Sequence, residues 1–271
     1  MSDIVKQHYN ENAQMEWERL NNPYSRVEFL SHLHLIDKYF PKKGKLCDIG
    51  CGPGRYSIEM LKKGYDVTLF ELSNEELKLA EKNINEEGLK AEEYICDSAI
   101  NINRLEDRKY NGILMMGPMY HVHGREDRIN TLKTMGDKLA EDGVALVAYI
   151  NSYGVLKAGI TECFEEFEKM DLLNNCFTEC EYSKDESFTE VYFTTPEHAL
   201  KEIEEAGLEI ISYAGAEGYI SGTHYALKKV YEENRKAYDN LVQRAVETCE
   251  IPQFRDATEH LSIIVRKKKR K

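Results

Sequence analysis

The sequence predicts an α/β fold of three layers, in which a mostly parallel sheet lies between two layers of helices. From residue 45 to residue 150, short apolar runs alternate with segments of helical periodicity. The first run ends at Asp48, and a glycine-rich turn leads from it into a helical pattern at Tyr56. This order predicts a buried strand, a tight turn and a helix N-terminus, where backbone N–H groups can meet a ligand.

The chain divides into four predicted segments. Residues 1–40 carry two apolar stripes at helical spacing, separated at Asn21, Asn22 and Pro23. After Ile150 the alternation stops, and an acidic, aromatic stretch follows that we interpret as a lid over the substrate. The segments are an N-terminal helical cap at 1–44, the α/β core at 45–150, the inserted lid at 151–194, and the C-terminal part of the core, with an inserted helix and a basic tail, at 195–271.

Local signals set the boundaries of the core elements. Ser73 and Glu76 have the spacing of a capping box, Gly88 ends that helix, and Thr195 with Pro196 begins a later one. The predicted helices of the core are 54–63, 73–87, 125–139, 195–207 and 224–249. The seven predicted strands are 45–50, 66–71, 92–97, 111–116, 143–149, 208–214 and 260–265.

Composition excludes several classes of protein. The formal net charge is −12 even with a run of basic residues at 266–271, and an acidic body disfavours nucleic acid as a substrate. No stretch has the length of a membrane span and residues 1–4 lack a signal pattern, so we expect no membrane association and a cytoplasmic location. The seven scattered cysteines are expected to be reduced. No metal site is predicted, because Cys176 and Cys180 lack a second pair of ligands.

The glycine-rich turn has the pattern D-x-G-x-G-x-G, formed by Asp48, Gly50, Gly52 and Gly54. A dinucleotide fingerprint would need glycine at the position of Arg55, which disfavours a nicotinamide-dependent oxidoreductase. The pattern instead resembles the first motif of class I methyltransferases, which bind S-adenosylmethionine. This resemblance extends over essentially the whole chain. It implies a Rossmann-like sheet of seven strands whose last strand runs antiparallel to its neighbour.

Acidic residues follow successive predicted strands. The carboxyl ends of parallel strands meet at one edge of a sheet, so Asp48, Glu71 and Asp97 are expected to gather there. Glu71 lies where an acid can accept hydrogen bonds from both ribose hydroxyls. The resemblance implies that Asp48 helps to hold the methionine ammonium and that Asp97 takes the adenine amino group. The predicted cofactor-binding residues are Asp48, Gly50, Cys51, Gly52, Gly54, Glu71, Leu72, Asp97, Ser98 and Met116, with Tyr9 and Arg19 at the cofactor's edge.

The candidate catalytic residues follow the fourth strand. A glycine-proline pair at 117–118 breaks the chain beside the predicted cofactor, and Tyr120, His121 and His123 come directly after it. The stretch resembles a region of small class I methyltransferases that carry a glycine-proline-x-tyrosine-histidine sequence. Either histidine is a candidate base, since its side chain titrates nearest neutrality, and Tyr120 is a candidate wall of the acceptor pocket. A structural role in packing stays open for each histidine.

We interpret the chain as an S-adenosylmethionine-dependent methyltransferase that transfers a methyl group to oxygen, nitrogen or sulfur of a small molecule, as a monomer or homodimer. Two alternatives stay open. An RNA methyltransferase is disfavoured by the acidic balance of the chain. A non-catalytic protein that binds S-adenosylmethionine as a sensor or scaffold is not excluded by any sequence feature.

Overall fold

The computed structural model describes residues 1–105 and 107–268. Its α-helices are α1 Asp3–Arg19, α2 Ser25–Tyr39, α3 Arg55–Lys62, α4 Asn74–Glu86, α5 Arg125–Lys138, α6 Ser152–Glu162, α7 Met170–Asn175, α8 Pro196–Glu205, α9 His224–Glu233, α10 Arg235–Glu247 and α11 Pro252–Arg255. Its strands are β1 Gly44–Ile49, β2 Tyr65–Glu71, β3 Glu93–Cys96, β4 Tyr110–Met115, β5 Leu139–Asn151, β6 Cys180–Tyr182, β7 Val191–Thr194, β8 Leu208–Gly215 and β9 His260–Lys267.

The strands of the described residues form one nine-stranded sheet. Strands β3, β2, β1, β4 and β5 lie side by side in that order and run parallel. Strand β9 pairs antiparallel with β5, and β8 pairs antiparallel with β9, which completes the seven predicted strands. The predicted fold class and the antiparallel last strand are confirmed. Two short strands were not predicted: β7 pairs in parallel with the last two residues of β5, and β6 pairs antiparallel with β7.

Both faces of the sheet are buried. In β1, Cys47 and Ile49 belong to an apolar cluster on one face, while Leu46 belongs to the cluster on the other. All three side chains are fully buried. A strand covered on both sides reads as a continuous apolar run, which is why the sequence reveals it. The burial fixes the register of β1 and therefore the position of the turn that follows it.

The prediction of one continuous helix at 224–249 is wrong. It is two helices, α9 and α10, because Asn234 leaves helical geometry with φ −150° and ψ 84°. The Asn234 side chain accepts a hydrogen bond from the Ala237 N–H at 3.0 Å and caps the second helix. The apolar spacing continues across the break, and so periodicity alone does not reveal it.

Of the two hydrogen bonds that make up the capping box predicted at the start of α4, only one is formed. The Ser73 hydroxyl accepts a hydrogen bond from the Glu76 N–H at 3.1 Å, as predicted. The Ser73 N–H, however, donates to Oε1 of Glu71 at 2.8 Å instead of to Glu76. The carboxyl group of Glu76 is therefore released from the helix end.

Helix α1 is fastened to the core by Arg55. The Arg55 guanidinium lies 3.7 Å from the centre of the Trp17 ring and donates to the Trp17 carbonyl at 2.6 Å and 3.0 Å. The contact combines a cation–π interaction with two charge-assisted hydrogen bonds. It holds α1 across the glycine-rich turn.

The basic run at 266–271 begins inside the sheet rather than beyond it. Arg266 belongs to β9 and pairs with the Glu209 carboxylate at 2.6 Å and 3.0 Å. Residues 269–271, the end of the predicted tail, lie outside the described residues. Across the described chain, we find no helix with the length and apolar character needed to cross a membrane.

Candidate functional site

A cavity with about 780 Å³ of free space, including its mouth, lies at the carboxyl ends of the parallel strands under α1. This is the edge at which parallel α/β sheets bind ligands. Eleven predicted site residues line it: Tyr9, Arg19, Gly50, Cys51, Gly52, Glu71, Leu72, Asp97, Met116, Tyr120 and His121. Four others, Asp48, Gly54, Ser98 and His123, lie behind or beside its wall.

The three glycines of the turn have positive φ values, and each has its own steric reason. A Cβ atom on Gly50 would lie 2.6 Å from the Pro118 ring, so the turn packs directly on the chain after β4. Gly54 faces α4, where its Cβ would meet a neighbour at 3.0 Å. Gly52 is different, because a Cβ there would meet only the carboxyl oxygens of Glu76, at 3.9 Å. A side chain at Gly52 would therefore occupy cavity space.

Asp48 is buried beneath the turn rather than exposed in the cavity. Its carboxylate accepts a hydrogen bond from the Ser57 hydroxyl at 2.7 Å. Burial raises the pKa of Asp48 to about 7, so burial disfavours the charged form of this carboxyl. The geometry places Asp48 as a support of the glycine turn.

Glu71 ends β2 and faces the turn. Its two oxygens accept hydrogen bonds from backbone N–H groups, Oε2 from Gly52 at 3.0 Å and Oε1 from Ser73 at 2.8 Å. Burial raises the pKa of Glu71 although these donors favour the charged form. Glu71 therefore joins the glycine turn to the start of α4.

Asp97 lies at the far side of the cavity, after β3. Its carboxylate accepts hydrogen bonds from the Ser98 N–H at 2.7 Å and from the Asn101 amide at 2.8 Å, and it pairs with Arg104. Burial would raise the pKa of Asp97, but these donors outweigh it and lower the pKa. Asp97 is thus a charged acceptor in the cavity wall, whereas Ser98 does not line the cavity.

Arg19 brings a positive charge into the cavity from α1. It donates to Glu28 at 2.8 Å and to Glu16 at 3.1 Å. Burial opposes ionisation of Glu28, but Arg19 outweighs it and the pKa of Glu28 falls to about 2. Glu28 in turn lies beside a second buried pair, Glu217 and His260, whose Oε1 and Nδ1 atoms are 2.7 Å apart. Arg19 is therefore held in place by charges on several elements.

Tyr9 and His121 form a hydrogen-bonded pair at the cavity wall. The Glu190 carbonyl can only accept, so His121 donates to it from Nδ1 at 2.9 Å. The neutral ring then has a bare Nε2, which accepts the Tyr9 hydroxyl proton at 2.7 Å. Burial lowers the pKa of His121 to about 4, so the ring is neutral at pH 7. Tyr120 packs against this ring with centroids 4.8 Å apart.

His123 lies apart from this group. Its Nδ1 is 3.8 Å from a carboxylate oxygen of Glu181, on the unpredicted strand β6. The same Glu181 carboxylate accepts from the Gly124 N–H at 2.9 Å. Of the two candidate bases, the structure brings only His121 to the cavity.

The cavity wall also contains residues that were not predicted as site residues: Met1, Glu16, Leu20, Pro53, Arg55, Tyr56, Phe70, Glu76, Ala99, Gly117 and Pro118. Some signals for them were present, since Pro53, Gly117 and Pro118 belong to the predicted motifs. Glu76 fitted a helix cap equally well, and Arg55 was visible only as a mismatch to the dinucleotide fingerprint. For Met1, Leu20 and Phe70 the sequence holds no local signal.

Comparison with known proteins is consistent with this geometry. A family model described as a methyltransferase domain matches residues 9–213. A ubiquinone biosynthesis O-methyltransferase of Actinobacillus pleuropneumoniae is 28% identical over 184 residues, which are 59% of this chain and 76% of that protein. One from Pasteurella multocida is 32% identical over 115 residues, 40% of this chain and 46% of that protein. The match to a relative from Bacillus subtilis spans about half of that protein, 48%.

Two solved structures share the fold. A S-adenosylmethionine-dependent methyltransferase of Clostridium acetobutylicum superposes with a TM-score of 0.59 at 15% identity, covering 96% of this chain and 99% of that one. A 1,6-didemethyltoxoflavin-N1-methyltransferase of Burkholderia thailandensis, solved with its substrate and S-adenosylhomocysteine, has a TM-score of 0.60 at 11% identity, covering 98% and 88%. At these identities the likeness concerns the fold.

Proposed function

The chain belongs to the methyltransferase-domain family, and from this premise we propose that it is a class I, S-adenosylmethionine-dependent enzyme that methylates a small-molecule acceptor. The observation that carries the proposal is the cavity beneath α1, which gathers the glycine turn, Glu71, Asp97 and Arg19 at one edge of the sheet. Its enclosure by α1 supports a small acceptor rather than a polymer.

The residues present fit the cofactor. Gly52 leaves space where any side chain would protrude, which supports close approach of a ligand to the backbone. We propose that Glu71 and Asp97 accept hydrogen bonds from the ribose and the adenine amino group, and that Arg19 pairs with the methionine carboxylate. Cys51, Leu72 and Met116 supply the apolar wall. Asp48 and Gly54 do not contact the cofactor in this proposal, and they contribute by holding the glycine turn in place.

When bound, the cofactor supplies a methyl carbon on a sulfonium, which a lone pair of the acceptor takes as the carbon–sulfur bond breaks. The protein must align the reacting atoms and exclude water, and this positioning accounts for most of the rate. Tyr9 gives its proton to Nε2 of His121 in a hydrogen bond, which leaves lone pairs on its oxygen. We propose that an acceptor O–H donates to that oxygen, so that the proton, which becomes strongly acidic as the new carbon–oxygen bond forms, passes to Tyr9 while Tyr9 passes its own proton to His121.

The segment 151–194 is proposed as the lid of the acceptor site. Phe188 supports this role, because its ring lies 6.1 Å from the His121 ring and 5.7 Å from the His8 ring. A cytoplasmic location is proposed on the seven cysteines, all of which are free thiols in the described chain. We propose that the protein is a monomer or a homodimer.

Calorimetry tests the proposal. The wild-type protein is expected to bind S-adenosylmethionine and S-adenosylhomocysteine at micromolar concentration, and Glu71→Ala is expected to remove binding. Its matched control is Glu93→Ala, a half-buried glutamate of the neighbouring strand that pairs with Arg108 outside the cavity. A wild-type protein with neither binding heat nor thermal shift would refute the function. An acceptor screen over phenols, amines and thiols, read by S-adenosylhomocysteine release, then separates an enzyme from a sensor.

A further inference from the structure

Glu76 presents an unused hydrogen-bond acceptor to the cavity. The residue is 2% exposed, and its Oε1 atom has no hydrogen-bond partner among the described residues. A buried carboxyl oxygen without a partner is costly, and native proteins rarely leave one without a reason. The cavity is lined by Glu76, so the partner of this oxygen can be a ligand.

The hydrogen bonds at the start of α4 explain why the oxygen is free. In a complete capping box, the glutamate at the third helical position bonds to the N–H of the capping serine. Here Glu71, two residues before Ser73, takes that N–H at 2.8 Å. The same Glu71 carboxylate also takes the Gly52 N–H, at 3.0 Å. Each Glu71 oxygen thereby accepts one backbone donor and keeps capacity for a second, and the Glu76 carboxyl is left in the cavity wall.

The two carboxyl groups flank one residue of the turn. Glu71 bonds to the Gly52 nitrogen, and the Glu76 oxygens lie 3.9 Å from the position that a Gly52 Cβ would take. A ligand lying against Gly52 therefore meets both side chains. Burial, followed by the charges of Glu71 and Glu16, raises the pKa of Glu76, so the carboxyl favours its protonated form when no donor is bound.

We propose that Glu76 is a second carboxyl ligand of the cofactor, and that its free oxygen accepts a hydrogen bond from a ribose hydroxyl beside Glu71. The inference rests on the proposed function and deepens it at the same site. A ribose carries two neighbouring hydroxyl donors, and Glu71 at the end of β2 and Glu76 in the first turn of α4 are two neighbouring acceptors in the cavity wall. An aliphatic side chain at position 76 would line the same wall without accepting a bond.

The test measures ligand binding by calorimetry for Glu76→Leu and Glu76→Gln, with Glu75→Gln as matched control. Glu75 lies one residue earlier in α4 but is exposed and pairs with Lys78. Glu76→Leu is expected to weaken S-adenosylmethionine, S-adenosylhomocysteine and methylthioadenosine by the same factor, about 10- to 100-fold. Glu76→Gln retains a carbonyl acceptor and is expected to lose about threefold. Glu75→Gln is expected to bind as the wild type.

A second experiment combines the Glu76→Leu substitution with a ligand from which the ribose hydroxyls have been removed. Methylthioadenosine lacking both ribose hydroxyls is expected to bind wild type and Glu76→Leu equally, because the bond is then absent from both. If Glu76→Leu bound unmodified methylthioadenosine as tightly as the wild type does, Glu76 would not contact the ribose, and the inference would be overturned. Binding of S-adenosylmethionine by the wild-type protein would still uphold the proposed function in that case. Glu76→Leu without ligand is expected to melt no lower than the wild type, since the change removes an unsatisfied buried acceptor; a lower melting temperature would indicate a structural role and also overturn it.

Discussion

Gly52 allows the cofactor site to be tested by a side chain of one carbon atom. Its φ is +51°, a conformation in which alanine costs about 1–2 kcal/mol. Gly88, which ends α4 on the surface, has a φ of +69° and nothing within 4 Å of its would-be Cβ. Gly52→Ala and Gly88→Ala therefore share the backbone strain, and only the first places a methyl group in the cavity.

The two variants are expected to separate stability from binding. For a chain of this size, about 1–2 kcal/mol corresponds to a loss of about 2–8 °C in melting temperature, and both variants should show it. In Gly52→Ala the added methyl, 3.9 Å from the Glu76 oxygens, lies where the ligand must approach. Overpacking of about 1–3 kcal/mol weakens S-adenosylmethionine about 5- to 150-fold, and Gly52→Val should abolish binding.

Calorimetry of S-adenosylmethionine and thermal melting of the free protein make the comparison. Gly88→Ala is expected to bind with wild-type affinity despite its lower melting temperature. If Gly52→Ala bound the cofactor as tightly as Gly88→Ala, no ligand would lie against this turn. The reasoning that joins the glycine pattern to the cofactor would then be refuted.

Three further predictions concern side chains around the cavity. Tyr9→Phe removes the hydroxyl bonded to His121, and should lower kcat about 100-fold with cofactor affinity unchanged, once an acceptor is known; equal kcat would exclude the proton path. Glu202→Gln removes the nearer of the two carboxylates that pair with the buried Arg128 guanidinium, at 2.9 Å, and leaves only that of Glu181, at 3.5 Å; it should lower the free energy of unfolding by about 3 kcal/mol in urea titrations. Burial lowers the pKa of His260, but neighbouring carboxylates outweigh this and raise it from 6.5 to about 9. The folded state then holds more protons than the unfolded state, so stability should fall as pH rises from about 6.5 to 9, with a shallower slope in His260→Asn.

The sheet and its ligand edge were predictable because the signals are local. Each parallel strand is a short apolar run, and an acid or glycine directly after it lies at the same edge as the others. Glu71 and Asp97, 26 positions apart in the numbering, reach one cavity through that rule alone. The same rule wrongly places the Asp48 carboxylate in the cavity, because the rule predicts the edge of the sheet at which a residue lies and not the direction of its side chain. Ser57, on the first turn of α3, draws that carboxylate under the turn.

The break at Asn234 and the strands β6 and β7 were not predictable from periodicity. Asparagine is favoured at helix N-caps but also occurs inside helices, and only its non-helical φ and ψ separate α9 from α10. Strand β7 is four residues long and pairs with β5 through residues 193 and 194 alone. Such a short pairing depends on where the lid segment packs, which is a tertiary property without a local pattern.

The choice among competing partners decides the function of several residues here, and sequence spacing does not contain that choice. Ser73 has one backbone N–H, and both Glu71 and Glu76 are placed to accept a hydrogen bond from it. Because Glu71 accepts this bond, Glu76 lines the cavity instead of capping the helix. Arg55 excludes a dinucleotide fingerprint, yet its stacking on Trp17 holds α1 over the same turn. Each residue therefore fits a structural pattern and the binding site at once. Which of the two roles a residue has is shown only by the hydrogen-bond partners of each donor and acceptor in the folded structure.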